Sequence, residues 1–216
     1  MLLEEIIDMD TEKKSEGEKI NSPEFWDLAY SKAKPRFDHG QVLPAVKRYF
    51  SQPDIDKSVN ILIPGAGNAY EAEFLHQQGY KNVYVVDFAP TPIANFRHRV
   101  ASFPYERVMK VDFFELADIT PDFKHKFDYI IEKAFFCAIT PDLRKKYVNT
   151  MYHLLKHKGV LFGIFVIEES ASDQESYLYP PYTCTFEDYK ALFMSQFNIK
   201  VLGKKDANCL IKIQKF

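Results

Sequence analysis

The stretch Val59-Asn60-Ile61-Leu62-Ile63-Pro64-Gly65-Ala66-Gly67-Asn68-Ala69-Tyr70-Glu71 decides how this chain folds. An apolar run stops at a proline and two closely spaced glycines, and a helical pattern begins directly after them. About twenty residues further on, a second run, Asn82-Val83-Tyr84-Val85-Val86-Asp87, ends in an acid. A strand, a glycine turn, a helix and a second strand closed by a carboxylate form the arrangement that receives an adenosine ribose in doubly wound folds.

Outward from that unit the chain alternates β and α with short connections, the pattern of a parallel sheet covered by helices on both faces. Strands are expected near 59–64, 82–87, 107–112, 127–132 and 160–167. Helices are expected near 69–78, ended by Gly79, near 91–101, opened by Thr91-Pro92, and near 141–157, opened by Thr140-Pro141 and closed by Gly159. Thr185-Phe186-Glu187-Asp188 reads as a capping box with Asp as its acid, opening a helix to about Met194. Strands at 197–202 and 208–214 follow, separated by Gly203-Lys204-Lys205-Asp206, a connection short enough only for antiparallel neighbours. The expected class is α/β, with seven strands, mainly parallel, and a C-terminal antiparallel hairpin. Such a hairpin separates Rossmann-type S-adenosylmethionine-dependent methyltransferases from dinucleotide dehydrogenases. Upstream, Ser22-Pro23-Glu24 supplies an N-cap, a first-position proline and a first-turn acid for a helix carrying Phe25, Trp26 and Tyr30. Residues 1–21 read as a charged tail and 22–216 as one domain.

With 216 residues, 46% hydrophobic and 15% aromatic, the chain can bury a core without staples. A formal net charge of −2 and a pI near 6.3 give no electrostatic footprint for nucleic acid. Cys137, Cys184 and Cys209 are odd in number and widely spaced, so neither a disulfide framework nor a zinc knuckle is indicated and a reducing cytoplasm is the expected compartment. Residues 1–19 lack the order of a signal peptide, and no apolar stretch reaches about 18 residues. The expected partner is a small molecule, not nucleic acid or membrane, and a monomer is favoured.

A Gly65-x-Gly67 turn serves NAD, FAD and S-adenosylmethionine alike. The dinucleotide fingerprint needs a third glycine at position 70, where the helix N-terminus meets a pyrophosphate; Tyr70 stands there, and Glu71 after it would repel the phosphates. S-adenosylmethionine has no phosphate and carries cationic sulfur and ammonium groups, so acids near its methionine end are compatible. It is the expected cofactor. Asp87 suits the two ribose hydroxyls, its competing reading being a turn acid before Pro90. Asp112-Phe113-Phe114 offers an acid for the adenine amino group and a ring for the base, with core packing the alternative for one phenylalanine.

With these residues placed, the chain from Pro23 to its C-terminus resembles the thiopurine and thiol/halide methyltransferase family. Phe25-Trp26-Asp27-Leu28-Ala29-Tyr30 followed by Pro35-Arg36-Phe37-Asp38-His39-Gly40 is similar to the family's W-x-x-x-W and P-W-D-x-G. Pro64-Gly65-Ala66-Gly67 looks like its P-G-C-G turn. Phe127-Asp128-Tyr129-Ile130-Ile131-Glu132, continuing through Lys133-Ala134 into Phe135-Phe136-Cys137-Ala138-Ile139, resembles its fourth strand and F-F-C-A loop, with Arg144 and Tyr147 in the following helix. Pro180-Pro181-Tyr182 is similar to its G-P-P-[FY] element. The departures are Tyr30 and Phe37 for tryptophans, Ala69 for a glycine, Glu71 and Glu132 for aspartates, Lys133 for an aromatic, and the missing glycine before the prolines.

The resemblance implies a Rossmann-like class I methyltransferase with an N-terminal helical lid. It implies methyl transfer from S-adenosylmethionine, leaving S-adenosylhomocysteine, to a thiol, thiopurine or halide. Trp26, Tyr30 and Phe37 would cover the sulfonium through cation–π attraction. Gly65, Gly67, Glu71, Asp87, Asp112, Phe113, Glu132 and Lys133 would surround the cofactor. Phe135, Phe136, Tyr179 and Tyr182 would line the acceptor side, and Asp38 and His39 are the candidates for removing a proton, a solvent-side turn being an equal reading for His39. A nucleoside-binding module without turnover and a dinucleotide-dependent reductase are the alternatives. His153 and His157 at i,i+4 could share a metal, but beside Lys156 and Lys158 they read as a solvated helix end, and no metal is expected. Cys137 reads as a packing residue.

Overall fold

A computed structural model describes residues 19–31, 35, 37–168, 180–205 and 207–216. Most of the expected tail, and Tyr179, lie outside the described residues. The sheet begins with β1 (Asn60–Pro64), where Ile61 and Ile63 point to one face and Leu62 to the other, all three buried. Burial on both faces is why the run is continuously apolar rather than alternating. β2 (Asn82–Asp87), β3 (Val108–Lys110), β4 (Phe127–Lys133) and β5 (Leu155–Glu168) join it in parallel, and β8 (Asn208–Lys215) and β7 (Phe197–Lys205) complete the order β3-β2-β1-β4-β5-β8-β7 with antiparallel pairings. The seven expected strands are present, and a two-residue β6 (Cys184–Thr185) adds a parallel bridge to the end of β5.

Helices cover both faces. α2 (Pro44–Phe50), α3 (Tyr70–Gln77) and α4 (Pro90–Arg99) bury Val46, Phe50, Leu75 and Phe96 against Ile61, Val85 and Phe162. α5 (Leu116–Ile119), α6 (Arg144–Leu154) and α7 (Phe186–Phe193) bury Tyr147, Met151, Tyr189 and Phe193 against Leu62, Ile130 and Phe165. α1 (Pro23–Ser31) crosses above the carboxyl ends of the strands and packs on α4. No described helix is long and apolar enough to cross a membrane.

Three boundaries differ from the sequence expectation. The helix expected over 141–157 is a 3-10 turn, Pro141–Leu143, followed by α6, which stops at Leu154 because Leu155 pairs with Phe127 and starts β5. His157 therefore lies on a strand, its Nδ1 2.7 Å from the Phe216 carbonyl, and the i,i+4 geometry with His153 does not exist. The strand expected over 107–112 is reduced to 108–110, since Asp112 leaves it to cap a 3-10 turn, Phe113–Glu115. The final hairpin is longer than expected: β7 runs to Lys205 and absorbs most of the connection placed at 203–206.

Candidate active site

The glycine turn after β1 is left-handed three times over, with φ of +54° at Gly65, +52° at Gly67 and +52° at Ala69. The two glycines also make room. A Cβ on Gly65 would strike the Phe135 ring and one on Gly67 would strike the Tyr30 hydroxyl. The Asp87 carboxylate, 8% exposed, accepts from the Gly67 amide at 2.8 Å and the Ala89 amide at 2.9 Å, tying the turn after β1 to the turn after β2. Burial pushes this carboxyl up from its ordinary range, against the Ala89, Gly67 and Phe88 amides that pull it down. Each oxygen keeps acceptor capacity, since a carboxylate has about four lone-pair sites.

Above the turn, Trp26 and Tyr30 each meet Phe37 edge to face, with centroids 5.6 and 5.5 Å apart. Several polar links hold this segment down. Asp27 Oδ1 accepts from the Thr91 amide at 2.6 Å, and Asn21 donates to Thr140 Oγ1 at 2.7 Å. Asp38 accepts from the Gly40 amide at 2.8 Å and from the Asn68 side chain at the start of α3. Burial, with the Asp87 and Asp38 carboxylates nearby, pushes the Tyr30 phenol far up, so it is a neutral hydroxyl. His39 is exposed.

At the end of β4 the structure separates residues that look equivalent in sequence. Glu132 and Glu71, both expected beside the cofactor, are fully buried and turned away from the cavity. Glu132 accepts from the Phe135 amide at 2.6 Å, the Phe136 amide at 3.1 Å and the Tyr147 hydroxyl, and burial raises its carboxyl to about 7 against those bonds. Glu71 accepts from the Leu43 amide at 2.9 Å and meets Lys133 Nζ at 3.4 Å. Phe136 and Tyr182, expected on the acceptor side, are core residues: Phe136 packs on Tyr147, Phe165 and Tyr189, and Tyr182 on Ile20 and Phe25. Arg144, also buried, donates to the Tyr182 carbonyl at 2.8 Å and the Thr183 carbonyl at 3.2 Å.

Apart from Gly67, which is off the cavity wall with its amide on Asp87, and Tyr179, which lies outside the described residues, the remaining predicted residues converge. Trp26, Tyr30, Phe37, Asp38, His39, Gly65, Asp87, Asp112, Phe113, Lys133 and Phe135 line one cavity of about 370 Å3 at the carboxyl ends of the strands. Asp112 keeps one oxygen on the Phe114 amide at 2.8 Å. Reading the sequence missed Asn68, Tyr70, Ile139, Leu143 and Val166 on the wall. Asn68 and Tyr70 flank the N-cap of α3 at the carboxyl edge of the sheet, where ligands bind in doubly wound folds, so they could have been found from the motif. Three carboxylates, eight aromatic side chains and one lysine that is already paired with Glu71 suit a cationic, phosphate-free nucleoside and oppose a pyrophosphate.

Comparison with known proteins agrees with this chemistry. Residues 21–212 match the thiopurine S-methyltransferase family. The chain is 24% identical over 178 residues to "Probable thiol methyltransferase 2" of Arabidopsis thaliana, which spans 81% of this chain and 73% of that protein. It is 22% identical over 197 residues to a thiopurine S-methyltransferase of Acinetobacter baylyi, over 84% of this chain and 88% of the relative. Among solved structures, the 1,6-didemethyltoxoflavin-N1-methyltransferase of Burkholderia thailandensis, with 1,6-didemethyltoxoflavin and S-adenosylhomocysteine bound, superposes with a TM-score of 0.70 at 14% identity, over 96% of this chain and 93% of that one. The fold is that of the Rossmann-like methyltransferases. The family match reaches from just before α1 into the last strand, and on that ground the chain belongs to the thiopurine S-methyltransferase family and is an S-adenosylmethionine-dependent methyltransferase.

Proposed function

We propose that the chain methylates a small soft nucleophile, a thiol, thiopurine or halide, by direct in-line displacement. The observation that carries this reading is the state of the acids on the cavity wall. Asp38, Asp87 and Asp112 are each already held by backbone amides, and the wall beyond Phe135 is formed by apolar Ala134, Cys137, Ile139, Leu143 and Val166. An alcohol, far less acidic than a thiol, would need a strong base poised against it, and these carboxylates are already engaged; a halide or thiolate needs none, and a thiol that ionises near about 8.5 can pass its proton to an exposed imidazole. The names of the relatives, thiol, thiopurine and thiocyanate methyltransferases, point the same way.

S-adenosylmethionine supplies an electrophilic methyl on a good leaving group, and the protein's share is alignment and exclusion of water. Asp87 receives the ribose hydroxyls and Asp112 the adenine amino group, with Phe113 beside the base. Trp26, Tyr30 and Phe37 close over the cationic end. Phe135, set by the Glu132 bonds to its loop, walls the acceptor. His39, the exposed imidazole beside Asp38, takes the proton of a thiol that enters uncharged. A radiolabelled methyl-transfer screen over thiols, thiopurines, halides, alcohols and amines tests the reading. A labelled thioether or methyl halide is the expected product; label only in ethers or methylamines would reject it.

A further inference from the structure

Asp38 belongs to the arm, residues 37–40, that carries Phe37 to Trp26 and Tyr30. Its Oδ1 accepts the Gly40 amide inside that arm, and its Oδ2 accepts from the side-chain amide of Asn68, a residue of the glycine turn. A carboxamide has one donating and one accepting end, so Asn68 with its NH2 on Asp38 turns its Oδ1 elsewhere. Asn95 of α4 meets that oxygen, donating from Nδ2 at 3.1 Å. The orientation that serves Asp38 is therefore set from behind, by a donor. The Asn68 backbone is held from the same helix: its carbonyl accepts from Arg99, which is paired with Glu73 at 2.7 Å.

α4 also holds the other arm of the cover. α1 packs on it, and Asp27 of α1 accepts the Thr91 amide. Thr91, Asn95 and Arg99 follow one another at intervals of four, along a single face of the helix. On the other side of Asn68, Gly67 donates to Asp87. Two successive residues of the turn thus reach the acid expected at the ribose and the acid of the cover. We propose that Asn68, oriented by Asn95, is a positioning residue that latches the 37–40 arm of the aromatic cover to the glycine turn. Its effect on the cofactor rests on the sulfonium lying beneath Trp26, Tyr30 and Phe37; the latch itself does not, and neither depends on the acceptor.

Trp26 is the chain's single tryptophan, so its quenching by acrylamide reports on the cover in the ligand-free protein. Asn68→Asp keeps the shape and sets a second carboxylate against Asp38. It is expected to raise the quenching and to weaken S-adenosylmethionine by about ten-fold, read by calorimetry. The exchange Asp38→Asn with Asn68→Asp puts the donor on the arm and the acceptor on the turn, and leaves Asn95 an oxygen to meet. It is expected to return both readings to within about three-fold of wild type, a repair that lost packing at either position would not give. Asn95→Asp offers Asn68 an acceptor in place of a donor, turns its amide round, and is expected to show the Asn68→Asp defect more weakly. Wild-type quenching in either single aspartate variant, or a defect that the exchange does not repair, would overturn the proposal. A quenching change repaired by the exchange, with affinity unmoved throughout, would keep the latch and reject the placement of the cofactor beneath it.

Discussion

The Tyr147 hydroxyl donates to one oxygen of the buried Glu132 carboxylate, and the other oxygen accepts the Phe135 and Phe136 amides. One acid thereby links α6 to the loop whose first phenylalanine walls the cavity and whose second enters the core.

Burial holds the Glu132 carboxyl at about 7, above its ordinary 4.5. The folded chain therefore keeps this proton more tightly than the unfolded chain. The stability it contributes is complete below about 4.5 and is lost as pH rises through about 7. Wild type should lose up to about 3 kcal/mol relative to Glu132→Gln across that window. Urea denaturation of both proteins at several pH values checks it, and a difference that grows in the opposite direction rejects it.

Ala69 carries a left-handed backbone at the start of α3, a conformation that costs a non-glycine residue about 1–2 kcal/mol. Its methyl group is also buried, and losing it costs about 0.8 kcal/mol. Ala69→Gly is expected to be neutral or to stabilise by up to about 1 kcal/mol, unlike an ordinary buried alanine. A thermal melt showing a loss of several degrees would contradict this.

The aromatic cover can be separated from simple packing by comparing a sulfonium with a neutral sulfur. Trp26→Leu should weaken S-adenosylmethionine more than S-adenosylhomocysteine, by about 0.5–2 kcal/mol if Trp26 faces the cation. Equal losses for both ligands by calorimetry would leave Trp26 a packing residue only.

Cys137 is 5% exposed, and burial with Glu132 nearby pushes its thiol up to about 12. The native protein is expected to resist iodoacetamide at this position at pH 8. Rapid native alkylation, read by peptide mass spectrometry, would show a thiol quite different from the one described.

The sequence makes β1, β2 and the turn between them readable because burial on both faces forces unbroken apolar runs and because Gly65 and Gly67 stand where the backbone turns left-handed. α2 is not legible in the sequence although Pro44 opens it and Val46 and Phe50 stand four apart, a pattern too short to rise above its surroundings. The end of α6 was unreadable since Leu154-Leu155-Lys156-His157 continues a helical pattern; the pairing of Leu155 with Phe127 decides it. The same limit applies to the site. Asp87 and Lys133 could be placed from strand ends, but the inward turn of Glu71 and Glu132 depends on Leu43 and Tyr147, partners distant along the chain. Phe135 and Phe136 are adjacent, and only the loop's geometry sends one to the cavity and the other to the core.

α4 starts at Pro90 behind Ala89, which has no side chain able to cap a helix, and Asp27 supplies the missing acceptor from α1. Swinging α1 aside strips that acceptor from the Thr91 amide, a penalty of about 1 kcal/mol. Docking of α1 and capping of α4 are thus one event, so a substitution that loosens the first helix also frays the start of the other.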